Sequence, residues 1–151
     1  YYLARLIEGG EPAEFIARRL AILASEDIGN ANPHALNLAA STLQIVKHIG
    51  YPEARISLSQ LVIYLASSPK SNSAYEAINH AQKAIREGDV DPIPDPIKTH
   101  AVNYLYPHDH GGWVKQNYLA KSKKFYHTKQ IGFEKTLYEW HEKIHRASQK
   151  N

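Results

Sequence analysis

Apolar positions over the first two thirds of the chain recur at spacings of three and four residues, and glycine or proline falls at each break. Tyr1, Tyr2, Leu3, Leu6 and Ile7 form one run, closed by Gly9-Gly10. Pro12 opens a second with Phe15, Ile16, Leu20 and Leu23, and Gly29 supplies its left-handed stop. Asn32-Pro33 reads as an N-cap followed by a first-turn proline, with Leu36, Ala39, Ala40, Leu43 and Val46 on the apolar side and Gly50 at the end. A fourth helix is expected within Ser57–Ser67. Ser73 and Glu76 have capping-box spacing ahead of Ala74, Ala77, Ile78, Ala81 and Ile85, and Gly88 ends that run. The pattern predicts an all-α fold of roughly five helices stacked as antiparallel hairpins, with alanine on the packed faces permitting close approach.

Beyond the Pro-rich stretch 91–96 the pattern changes. Residues 106–113 (YPHDHGGW) read as a turn-rich loop in which Asp109 forms an Asx-type turn and Tyr106 and Trp113 anchor the ends. Lys121–Tyr126 reads as an extended basic-aromatic strip. One helix follows, from about Phe133 to Arg146, with Phe133, Leu137, Trp140 and Ile144 on one face. Glu139/Lys143 and Glu142/Arg146 are spaced for i,i+4 pairing on its surface.

Charge sharpens this boundary. The net charge is +3, yet residues 1–97 hold 8 Lys+Arg and 11 Asp+Glu (−3) while residues 98–151 hold 10 and 4 (+6). Nine of the fifteen aromatics and six of the nine histidines also lie in the shorter part. Two subregions are therefore expected, 1–97 and 98–151, packed as one domain. The 151 residues suffice for a sizeable core, and 43% hydrophobic and 22% charged residues are ordinary globular values. The longest apolar run, Leu61–Ala66, falls far short of the ~20 residues of a membrane helix. Zero cysteines leave no disulfide, thiolate zinc site or thiol nucleophile and fit a reducing compartment such as cytoplasm. The opening inside a helical run and the absence of Met suggest a fragment, with loop or Met residues left out of it.

Candidate chemistry is sparse. His141-Glu142-Lys143-Ile144-His145 is a literal HExxH, which on a helix puts two imidazoles on one face for Zn²⁺ beside a general base. Composition alone yields such a pattern in about 3% of chains like this one. Only six residues follow His145, so a third ligand would have to come from upstream, as from His108, Asp109 or His110. A solvated helix face is the simpler account, and no metal ligand is assigned. Lys121, Lys123, Lys124, Phe125, Tyr126 and Lys129 combine phosphate-neutralising cations with stackable rings, the two ingredients of single-strand nucleic-acid binding. The alternative is a solvated edge whose rings complete a neighbouring core. Arg18, Arg19, Glu26 and Asp27 interrupt an apolar helix, and the two acids oppose the dipole at its end, so they are candidates for contact with another element or subunit. No GxxxxGK[ST], GxGxxG or GxSxG occurs, so this chain holds no nucleotide by a Walker A loop, and no catalytic or cofactor-binding residue is assigned.

Several spaced blocks share one likeness: residues 17–20 (ARRL), 25–33 (SEDIGNANP), 51–56 (YPEARI), 65–72 (LASSPKSN), 106–109 (YPHD), 111–114 (GGWV) and 116–119 (QNYL). Together they resemble the C-terminal region of the bacterial replication-associated recombination ATPases called RarA or MgsA, relatives of the Werner helicase interacting protein. The resemblance implies a parent AAA+ ATPase, related to clamp loaders, that acts with DNA and single-strand-binding protein at stalled or damaged forks in the bacterial cytoplasm and nucleoid. It implies that this region is a collar-like module assembling a homotetramer. ATP and Mg²⁺ would belong to the parent's motor, whose Walker and sensor residues lie outside this chain. The stretches Ile97–Tyr106 and Leu119–Lys124 are shorter than the family's.

Overall fold

The computed structural model describes residues 1–148 and contains six α-helices and, among the described residues, no strand. These are α1 (Tyr2–Glu8), α2 (Ala13–Leu23), α3 (His34–His48), α4 (Ala54–Ser67), α5 (Ser73–Arg86) and α6 (Glu134–Ser148). The expected all-α class is thus the observed one. Helix α2 does not simply stop: it widens into a π-helical turn at Ala24–Ile28 and then a 3₁₀ turn at Gly29–Ala31. Gly29 makes the switch possible. Its φ is +50°, and a Cβ there would stand 2.8 Å from the Ser71 carbonyl oxygen, so both the backbone angle and the neighbouring chain select glycine.

Helices α2, α3 and α4 pack on one another around two apolar clusters. Ala13, Ile16, Ala17, Val46, Ala54 and Leu58 form one, flanked by Leu3 and Ile7 of α1. Ala24, Ile28, Ala35, Ala39, Leu61 and Leu65 form the other, and half-buried Leu20 touches both. Alanine supplies much of this core, as close helix approach requires. The buried stripe of α3 is Ala35, Ala39, Thr42 and Val46 with Leu43 half-buried beside it, so Ala39, Leu43 and Val46 face inward as expected, whereas Leu36 and Ala40 are exposed. The helix is flanked by α2 and α4, so its buried line runs between them through Ala35 and Thr42, and Leu38 and Leu43 pack at its edges.

Several helix ends differ from their sequence-based expectation. Asn32 makes no side-chain cap to α3; its Nδ2 donates instead to Tyr64 Oη (2.9 Å) and Ser68 Oγ (3.1 Å), tying the start of α3 to the end of α4. Helix α4 begins a turn before Ser57, just after the cis Tyr51–Pro52 bond. Its last carbonyls are collected by one cation, Lys70, whose Nζ donates to Leu65 O (2.8 Å), Ala66 O (3.4 Å) and Ser68 O. The capping box at Ser73 and Glu76 is not formed, because both side chains are used by the C-terminal extension.

Helix α5 meets the bundle at the π and 3₁₀ turns after α2. Its apolar face remains open: Tyr75, Ile78 and Ile85 are 46%, 55% and 60% exposed. From Ser73 onward, Glu134 is the one buried residue beyond Ser73 itself among the described residues. The segment 98–133 therefore has no buried core of its own; its ties to the rest run from residues 121–134 to residues 71–76, 89–91 and Ala31, and α6 is anchored by polar groups at its first residue.

Candidate functional site

The anchor of the extension is the Glu134 carboxylate. It is fully buried and accepts from Ser71 Oγ (2.8 Å), Ser73 Oγ, the Lys129 backbone N–H (2.9 Å) and Thr128 Oγ1 (3.4 Å). Burial alone would raise its pKa; the donors from Ser73, Ser71, Lys129 and Thr128 together outweigh that and hold it below the ordinary carboxylate value. Its place at the first residue of α6 also suits the positive end of the helix dipole. The preceding residues complete the joint. Gly132 has φ +57°, and a Cβ there would collide with the Ala31 carbonyl oxygen, which accepts from Phe133 N at 2.9 Å. Sequence reading did not single out Ser71, Glu134 or Gly132 for this joint, since nothing local marks one glutamate of fifteen acids as buried.

The basic-aromatic strip is extended as expected, but its cations are unequally placed. Lys123 is largely enclosed: Nζ donates to Asp89 Oδ1 (2.7 Å) and Asp89 O (3.1 Å), and stands 2.8 Å from Asp91 Oδ2. Lys121 lies 3.5 Å from Asp91. The polar contact with Lys123, aided by its charge and that of Lys121, lowers the Asp91 pKa, and the two acids raise that of Lys123. Lys129 donates to Asn72 and reaches Glu76 at 3.4 Å. Lys124 and Tyr126 are exposed, and Phe125 is half-buried.

The strip and α6 form the two walls of an open cleft of about 1000 Å³. Lys123, Lys124, Phe125 and Tyr126 line one wall; Leu137, Tyr138, His141, Glu142, His145 and Arg146 line the other. The HExxH residues thus face this cleft. His141 and His145 meet edge to face with ring centroids 4.4 Å apart, and no group of three metal-type ligands gathers among the described residues. The His108–His110 segment is a 3₁₀ turn (Pro107–His110) with Tyr106 and His108 rings 5.0 Å apart, and neither histidine joins the α6 pair. On the exposed side of α6, Phe133 and Trp140 pack edge to face at 5.8 Å, Trp140 remaining 52% exposed. The i,i+4 pairs expected at Glu139/Lys143 and Glu142/Arg146 are not closed among the described residues.

Of the residues expected to meet another element or subunit, Arg18, Arg19 and Asp27 are exposed, while Glu26 is half-buried. Glu26 borders an apolar groove of about 620 Å³ between the end of α2 and α5, lined by Ala21, Ile22, Ala74, Tyr75 and Ile78. Of the four, Glu26 alone lines this groove.

Residues 1–145 match the family model described as the MgsA AAA+ ATPase C terminal. The chain belongs to that family. Bacillus subtilis replication-associated recombination protein A is 43% identical to this MgsA C-terminal domain over 159 residues, covering 95% of this chain and 38% of that protein. A Thermotoga maritima protein without an assigned function is 44% identical, over 92% of this chain and 25% of its own length. The ATPase WRNIP1 of Dictyostelium discoideum is 32% identical over 85% of the chain and 16% of that protein. The MgsA C-terminal domain here therefore spans well under half of the relatives it matches. No helix among its described residues is long and apolar enough to cross a membrane.

Proposed function

We propose that this domain is the self-association module, a homotetramerisation collar comparable to that of clamp loaders, of a larger AAA+ ATPase that maintains replication forks and acts in recombination. The observation that carries this reading is the amount of ordered helical surface left apolar and uncovered. Helix α5 presents Tyr75, Ile78 and Ile85, and the neighbouring groove adds Ile22. Contiguous exposed apolar surface of this kind marks interaction sites, and like chains usually meet in closed symmetry. Half-buried Glu26 at the groove edge supplies a charged group for the rim of such a contact.

In this reading ATP and Mg²⁺ are bound by the parent's motor, and DNA and single-strand-binding protein are partners of the parent in the bacterial cytosol. The names of the Bacillus relative, a replication-associated recombination protein, and of the Dictyostelium relative, an ATPase, support the replication and ATPase parts of that reading. The test is the absolute mass of this chain by sedimentation or light scattering over a concentration series without nucleotide. A tetramer that Ile78→Asp dissociates is expected. A monomer at every concentration refutes the reading.

A further inference from the structure

We infer that the cleft between the basic-aromatic strip and α6 is a binding site for single-stranded nucleic acid, with the two walls sharing phosphate neutralisation and base stacking. At about 1000 Å³ the cleft is at the upper end of the ~300–1,000 Å³ found for ligand sites. Its lining holds three cations, Lys123, Lys124 and Arg146, against one carboxylate, Glu142. The cations stand on both walls, so a chain of phosphates along the cleft meets positive charge on either side.

The structure also sorts the cations by availability. Lys123 is already held by Asp89 and Asp91, and Lys121 and Lys129 have acidic neighbours outside the cleft. Exposed Lys124 and Arg146 are the cations that face the opening without an acid pair among the described residues. Helix α6 therefore contributes half of a site that the strip alone does not complete.

The rings choose the occupant. Phe125 and Tyr126 on one wall and Tyr138 on the other offer flat surfaces that match unpaired bases. Bases inside a duplex are stacked on each other and cannot use them. An acidic peptide would satisfy the cations but give the three rings no planar partner. His141 and His145, which meet edge to face, line the same wall.

The experiment is fluorescence anisotropy of a labelled short oligo-dT with the 151-residue chain, as a function of salt. The expected result is that Lys124→Glu combined with Arg146→Glu weakens binding at least about tenfold. The log–log salt slope should flatten by roughly 0.7 for each phosphate that is no longer neutralised. Tyr126→Ala should weaken binding roughly five- to a hundredfold while Tyr126→Phe retains it, as stacking requires. Lys115→Glu, an exposed charge of the same extension outside the cleft, should change little. If the double reversal disturbs the circular dichroism spectrum, Lys124→Gln with Arg146→Gln takes its place. Failure of the oligonucleotide to bind, or equal losses from Lys115→Glu and the cleft variants, overturns the assignment. So does binding of an Asp-rich peptide in the cleft without any oligonucleotide binding. Affinity is read per chain, so the outcome is independent of whether the domain forms tetramers.

Discussion

Replacing Glu134 should detach the C-terminal extension while leaving the helical bundle folded. The carboxylate is the sole buried group of residues 98–146, and it accepts from two serine hydroxyls of the 71–73 turn, from the Lys129 N–H and from Thr128. Hydrogen bonds to a charged acceptor contribute about 1.5–3 kcal/mol each, and they are not additive because freed donors rehydrate. Glu134→Ala removes them all and leaves a cavity, so a loss of about 3–5 kcal/mol is expected, as for breaking other buried ionic contacts. Glu134→Gln should cost less, about 1.5–3 kcal/mol: the serine hydroxyls can rotate to suit an amide, whereas the Lys129 N–H needs an acceptor. Both tryptophans, Trp113 and Trp140, lie in the extension, so urea titration followed by tryptophan emission reports undocking. Far-UV circular dichroism is dominated by the bundle. The two transitions should separate in Glu134→Ala, the emission change coming first. Coincident, unshifted transitions would refute the account of Glu134 as the anchor. Because the folded-state pKa is lowered, protonation opposes docking. The stabilisation is fully present above the ordinary carboxylate value and is lost as pH falls through the lower folded value. In the wild type, emission should therefore report undocking only in acid below the ordinary carboxylate range.

Further consequences can be measured separately. Gly132→Ala combines a positive φ with a collision at Ala31 O; it should cost at least the ~1–3 kcal/mol of a strained backbone position and be visible as a lower emission midpoint in urea. Lys70→Met removes the cation over the last carbonyls of α4 and should lower the bundle's stability by about 0.3–2 kcal/mol, read from its circular-dichroism melt. In a carboxyl-detected NMR titration Asp91 should ionise below the usual aspartate value, and Lys123→Met should move it back upward. An unmoved Asp91 would show that Lys123 is not its partner in solution.

Much of the architecture was legible from residue order because helix punctuation is local. Gly29 and Gly88 stop helices by their own backbone freedom, and the change in charge near the Pro-rich stretch follows from composition. Apolar periodicity located all six helices, to within a turn at α4, because 3.6-residue spacing is a property of the segment itself. What each helix faces is another matter. Ala35 and Thr42 of α3 are buried while Leu36 and Ala40 are exposed, because α2 and α4 flank the helix, and Ser73 abandons a cap for a carboxylate 61 residues away. The basic strip was legible as a set of cations and rings. Only the tertiary structure decided which of them remain available, since Asp89, Asp91 and Glu76 come from a different part of the chain. The same holds for the HExxH segment, whose spacing is compatible with metal ligation but whose side chains line a cleft opposite Lys124 and Tyr126. Sequence determined which segments are helical and where charge accumulates, since those depend on neighbours along the chain. Long-range packing determined burial, pairing and the walls of the cleft, since those depend on residues that the chain brings together only when folded.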